Sequence, residues 1–183
     1  MIRIILTILF LPLSIFAYAD FSYNYAQIIH TDIDGDATLN TFDVSFEASE
    51  NIYLTIGYGT GDFDDVDIDL DAVQFGVGYH TPISGNVDFV SQVQYVEGET
   101  DGIVDSEVDA YGISVGLRAK LAEKVEVLVG VIYSDTDTEI GGTTISDSDT
   151  DFGANIALDL TDSLQAVIDI DGDDNSLGLR LHF

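Results

Sequence analysis

Two short acidic runs have the spacing in which carboxylates can converge on a hard cation: Asp32-x-Asp34-x-Asp36 and Asp169-x-Asp171-x-Asp173. Alternate residues of an extended chain share a face, so each run offers oxygen ligands of the kind Ca2+ or Mg2+ takes. Neither run completes an EF-hand loop. Its glycine comes two places early, at Gly35 and Gly172, and the twelfth position holds Asp43 or Arg180 where a bidentate Glu is needed. No tight metal site is expected, and these six aspartates stand only as weak candidates for loosely held divalent cations.

Hydrolytic chemistry needs a nucleophile or activated water with a His and a carboxylate beside it. His30, close to Asp32 and Asp34, is the one histidine in an outer position, and no serine motif accompanies it. The chain is therefore not expected to be an enzyme or to carry a cofactor.

Five Lys and Arg against 34 Asp and Glu give a formal charge of -29, while 46% of residues are hydrophobic. Mean hydropathy is positive, at +0.21. Acidic disordered chains lack that apolar content. Nucleic acid is excluded as a partner, because phosphate binding needs clustered cations. With no cysteine there is neither a disulfide framework nor a thiolate metal site.

Residues 1–19 have the layout of a secretory signal peptide. Arg3 supplies the positive start, Ile4 to Phe16 the apolar stretch, and Ala17-Tyr18-Ala19 a small-x-small cleavage site before Asp20. The apolar stretch falls short of the roughly 20 residues a membrane-spanning helix needs, and Pro12 interrupts it. The expected layout is a cleaved signal over 1–19 and one domain over 20–183. No later run is apolar enough for a membrane helix, so a membrane location requires a closed barrel.

Read with a period of two, the chain yields ten strands near 21–31, 37–48, 52–62, 70–81, 86–97, 107–120, 125–134, 151–160, 164–171 and 176–183. In the fourth, Val73, Phe75, Val77 and Tyr79 alternate with Gln74, Gly76, Gly78 and His80; the last alternates Leu177, Leu179 and Leu181 with Gly178, Arg180 and His182. A soluble antiparallel barrel alternates too, but buries its apolar face. Three features favour an apolar outside. Short turns (49–51, 82–85, 121–124, 161–163) lie at one rim, and acidic loops around 32–36, 63–69, 98–106, 135–150 and 172–175 at the other. Outward aromatics sort into two belts: Phe21, Tyr23, Phe46, Tyr79, Phe89 and Phe183 near the turns, Phe42, Tyr58, Tyr95, Tyr111, Tyr133 and Phe152 near the loops. Tyr25 and Phe75 fall at mid-depth. Finally, the polar faces hold glycines and charges where a soluble calyx would hold Leu, Val and Phe. The expected fold is all-β: a transmembrane antiparallel up-and-down β-barrel of ten strands, with eight the alternative if the last two are misread.

Most acidic residues fall in the loops, forming an anionic crown, whereas Arg118, Lys120, Lys124 and Arg180 all lie toward the turn rim. Arg118 and Arg180 can face Glu47, Asp88, Glu126 and Asp159 at similar depth inside the barrel. Buried charges persist when paired, so these six residues are expected to form a lumen charge network that plugs the floor. A selectivity filter is the alternative, disfavoured because wide channels belong to barrels of about 16 strands or more. His80 and His182 are expected to be lumen hydrogen-bonders.

The segments Phe21 to Gln27, Val77 to Val90, Ala110 to Leu121 and the closing Ser176 to Phe183 resemble the small outer-membrane β-barrel proteins of Gram-negative bacteria, the porin-family or OmpA-like barrels. The resemblance implies an outer-membrane location, contact with the lipid bilayer and lipopolysaccharide, and insertion by the barrel-assembly machinery through a last strand ending in Phe. It implies a barrel without a periplasmic domain. The role it leaves open is structural or interfacial, with a small cation-preferring channel or a surface adhesin as alternatives.

Overall fold

Each alternating segment forms a strand, because a side-chain period of two places one chemistry on each face of a pleated ribbon. The computed structural model describes residues 21–33, 37–63, 69–101, 106–171 and 174–183. The expected signal peptide, Asp34, Asp36 and Asp173 lie outside the described residues. Ten strands are present: β1 (Tyr25–Ile33), β2 (Ala37–Ser49), β3 (Ile52–Phe63), β4 (Asp69–Ser84), β5 (Val87–Asp101), β6 (Ser106–Ala122), β7 (Val125–Ile140), β8 (Thr143–Asp159), β9 (Leu164–Asp171) and β10 (Asp174–His182). Each pairs antiparallel with its neighbours in the chain, and β1 closes on β10 with Gln27 opposite Arg180 and Tyr25 opposite His182. The result is the ten-stranded up-and-down barrel, in which closure gives every strand a neighbour on both sides through the middle of the wall.

Three of the hairpins at the turn rim end in a register shift, at Glu47/Ser49, Pro82/Ser84 and Lys120/Ala122. The second absorbs Pro82, which has no amide to give a ladder. At the other rim the expected loop over 135–150 is instead paired backbone. β7 and β8 run together up to Ile140 opposite Thr143, joined by Gly141 and Gly142. Both glycines have positive φ, 58° and 82°, as the tightest two-residue hairpin turn demands. Thr136, Asp137, Ser146 and Asp147 carry no apolar signal, yet ladder bonding needs none.

The outer face is an apolar belt in which Phe152 (79% exposed), Leu177 (62%), Ile28 (61%) and Val77 (55%) stand without cover. Such a continuous belt is far larger than a water-soluble surface carries, and it suits hydrocarbon. Phe46, Tyr79 and Phe183 border it near the turns; Phe42, Tyr58, Tyr111, Tyr133 and Phe152 border it near the loops. Phe21 and Tyr23 correct the expected lower belt. They precede β1, are buried, and point into the barrel. Tyr25 also points inward, under the Arg180 guanidinium.

Candidate functional site in the barrel lumen

The inward faces meet at two levels. The lower level is a floor built on the segment 21–24, which enters the barrel before β1 begins. Tyr23 reaches across the lumen and donates from its hydroxyl to Asp88 Oδ2 on β5, at 3.0 Å. Its ring stacks on His80 at 3.9 Å between centroids and on Tyr53 at 5.0 Å. Tyr53 can lie flat because Gly78 sits beneath it; a Cβ there would fall 1.9 Å from Tyr53 Cζ. The close approach of ring to backbone is what requires glycine at this position.

Arg118 locks the segment from above. It donates through Nε and Nη2 to the two oxygens of Glu126, at 2.9 and 3.1 Å, and through Nη1 to the Ser22 carbonyl at 3.1 Å. Its guanidinium lies 4.9 Å from the Phe21 ring centre and 4.8 Å from that of Tyr23. Arginine suits this place because a planar fork can grip a carboxylate edge-on while its face covers an aromatic ring. Glu126 also accepts from Gln165 Nε2 at 2.9 Å, and the same nitrogen donates to Asp159 at 2.8 Å. Gln165 Oε1 meets His182 Nε2 at 2.9 Å. Asp88, Arg118, Glu126 and Asp159 thus belong to one network at the floor, with Gln165 as the amide that joins its parts. Gln165 alternates with Leu164 and Ala166, so a period of two turns it inward, but the sequence offers no sign of this role, since an amide carries no charge to match.

Arg180 departs from the expected pairing. No carboxylate lies within ion-pair distance of it among the described residues; it donates from Nε to Gln27 Oε1 at 2.9 Å and covers the Tyr25 ring at 4.6 Å. Gln27 in turn donates to Asp43 at 3.1 Å, so an amide separates the two charges. Glu47 stands apart from both arginines, held by Asn24 Nδ2 at 3.1 Å. His80 also departs from expectation. Both its ring nitrogens lack a hydrogen bond among the described residues, although Asp88 lies 3.6 Å from Nδ1 and Glu47 3.8 Å from Nε2.

Above the floor the lumen opens into a cavity of about 430 Å3. Tyr53, Val90 and Leu128 form its base, and Gln74, Gln92, Ser114, Asn155 and Asp169 stand in its wall. A void of only about 90 Å3 remains among Tyr23, Arg118, Glu126 and Arg180 beneath. The candidate cation ligands do not gather here. Asp169 accepts from Asn155 Nδ2, Asp32 lies across from Asn175 and Thr38 in the wall, and only the backbone of Asp171 is described. Among the described residues no group of three or more His, Asp or Glu is placed to hold a metal ion. His30 faces outward and bonds Asn40 Oδ1 at 2.9 Å, away from the lumen.

No family model and no curated protein matches the chain. Solved structures do match in fold. The KdgM porin in complex with disordered oligogalacturonate aligns with a TM-score of 0.50 at 10% identity, over 87% of this chain and 99% of that one. The β domain of the Bordetella autotransporter BrkA aligns at 0.49 and 13% identity, over 90% and 100% of the two chains. Neisserial surface protein A aligns at 0.48 and 12%, over 88% and 98%. The fold is that of the small outer-membrane β-barrels.

Proposed function

We propose that the chain serves as a closed-floored barrel of a Gram-negative outer membrane, with a structural or surface-interfacial role and no catalytic one. The observation that carries the reading is Tyr23, driven across the lumen and held by Asp88, His80 and Arg118. A side chain clamped at both face and tip blocks passage at the depth where a void of only about 90 Å3 remains. The apolar belt supports bilayer contact, with lipopolysaccharide and loosely held divalent cations as partners at the acidic outer end. Export through the 1–19 signal and insertion by the barrel-assembly machinery complete the proposal.

The second reading, a small cation-preferring channel, draws on the upper cavity, whose wall holds the carboxylate of Asp169, and on Asp43, which accepts from Gln74 of that wall. Planar-bilayer recording of the refolded barrel separates the two. The closed floor predicts a silent wild type and discrete cation-selective steps only after Tyr23→Ala. Cation-selective steps in the wild type, altered by Arg118→Ala or Arg180→Ala, establish the channel instead.

A further inference from the structure

The barrel rim is not level. β4 to β8 rise well above β9, β10 and β1, so the outermost part of β8 stands beside a gap. β7 pairs β8 as far as Thr143, but β9 stops at Asp171, opposite Gly153. Among the described residues, Thr143 to Phe152 therefore has a ladder partner on one side only.

The hydrogen bonds show which groups face the gap. At the base of β8 the amide of Asp159 donates to Lys124, on the β7 side, and that of Leu160 to Leu164, on the β9 side. No register shift intervenes along β8, so odd amides face β7 and even amides face the gap. Ser148 and Thr150 are even. Their amides donate to the side chains of Asp147 and Asp149, at 3.0 and 2.7 Å, for want of a neighbouring strand. These two donors are thus covered by the carboxylate of the preceding residue.

We infer that the free edge of β8 from Thr143 to Phe152 is a strand-addition site for an extended peptide bearing Lys or Arg at alternate positions. An added strand lies about 4.8 Å from β8 and takes the ladder groups that now bond only locally. Asp147, Asp149 and Asp151 lie on one face of the edge and meet the residues of the incoming strand at the same period of two. A second copy of this chain fits poorly, because antiparallel edge pairing would set these aspartates against one another, and like charges directly opposed are destabilising. Among the described residues no Lys or Arg covers the edge, since Arg118, Lys120, Lys124 and Arg180 stand at the far rim. A separate cationic peptide supplies both the ladder partner and the missing charge.

The test uses the refolded barrel in zwitterionic micelles and two synthetic peptides, both as long as Thr143 to Phe152. One alternates lysine with threonine; the other alternates lysine with proline, keeping the charge but unable to form a ladder. The lysine-threonine peptide should bind saturably and slow exchange of the Ser148 and Thr150 amides, with about tenfold higher affinity than the lysine-proline peptide. Ser148→Pro with Thr150→Pro removes edge donors but no charge, and should abolish that preference; Asp147→Asn with Asp149→Asn should weaken both peptides. The comparison of peptides on the unmodified barrel holds even if the prolines disturb the hairpin. Equal binding of the two peptides would overturn the inference in favour of charge adsorption alone. No binding, or a dimer lost on Ser148→Pro with Thr150→Pro, overturns it as well.

Discussion

The two ends of the barrel use carboxylates in opposite ways. At the floor Glu126 is buried and fully bonded, gripped by Arg118 and Gln165. At the crown Glu107 is exposed between Glu99 and Glu139, which face it across β5 and β7. The next rung repeats the arrangement with Glu97, Asp109 and Asp137. The crown has no cation to offer these groups; some accept from tyrosine hydroxyls at the belt below, as Asp71 does from Tyr58 and Asp109 from Tyr95. The difference teaches that a carboxylate's effect on stability is set by its surroundings. In a water-poor lumen an unpaired charge is costly and a gripped one holds structure together, whereas in water repulsion is weak and tolerable.

Breaking the floor should give the largest effect. Arg118→Ala strands Glu126 and frees Ser22, and should lower stability by about 3–5 kcal/mol in urea titrations of the barrel in lipid vesicles. Tyr23→Ala should cost about 3 kcal/mol by the same measurement, through lost packing and the hydrogen bond to Asp88. Gly78→Ala pushes a methyl into the Tyr53 ring and should cost about 1–3 kcal/mol. The crown should respond with the opposite sign. Glu107→Gln removes a repulsion and should raise stability by about 0.5 kcal/mol at low salt, an effect that disappears in 1 M salt, where screening acts within about 3 Å. Glu126→Gln gives the sharpest contrast: the same chemical change at the floor should destabilise by several-fold more than Glu107→Gln stabilises, and equal effects would show that the lumen is as wet as the crown.

Several of these features could be read from residues alone. The alternation of Val73, Phe75, Val77 and Tyr79 with Gln74, Gly76, Gly78 and His80 assigns both faces of β4, and similar patterns do so for most of the wall. Arg118 and Glu126 were legible as floor residues because they occupy inward positions near one rim. Phe21 and Tyr23 were not. They alternate with Ser22 and Asn24 as belt aromatics would, and their inward turn depends on Arg118, Asp88 and His80, which come from strands far along the chain. The β7–β8 extension was hidden for another reason: Ser, Thr and Asp alternate there without an apolar face, although Gly141-Gly142 between them is a hairpin signal.

Local composition by itself determined where most of the strands lie and which face of them turned outward, the β7–β8 extension and the aromatics of 21–25 excepted, and that acids gather at one end while cations stay at the other. Those properties follow from side-chain period and charge, which act over neighbouring residues. The tertiary structure alone decided that Tyr23 closes the lumen, that Gln165 joins Glu126 to Asp159, that Gln27 stands between Arg180 and Asp43, and that β8 outlasts β9. Each depends on the stagger and closure of ten strands, a relation among distant parts of the chain that no local pattern contains.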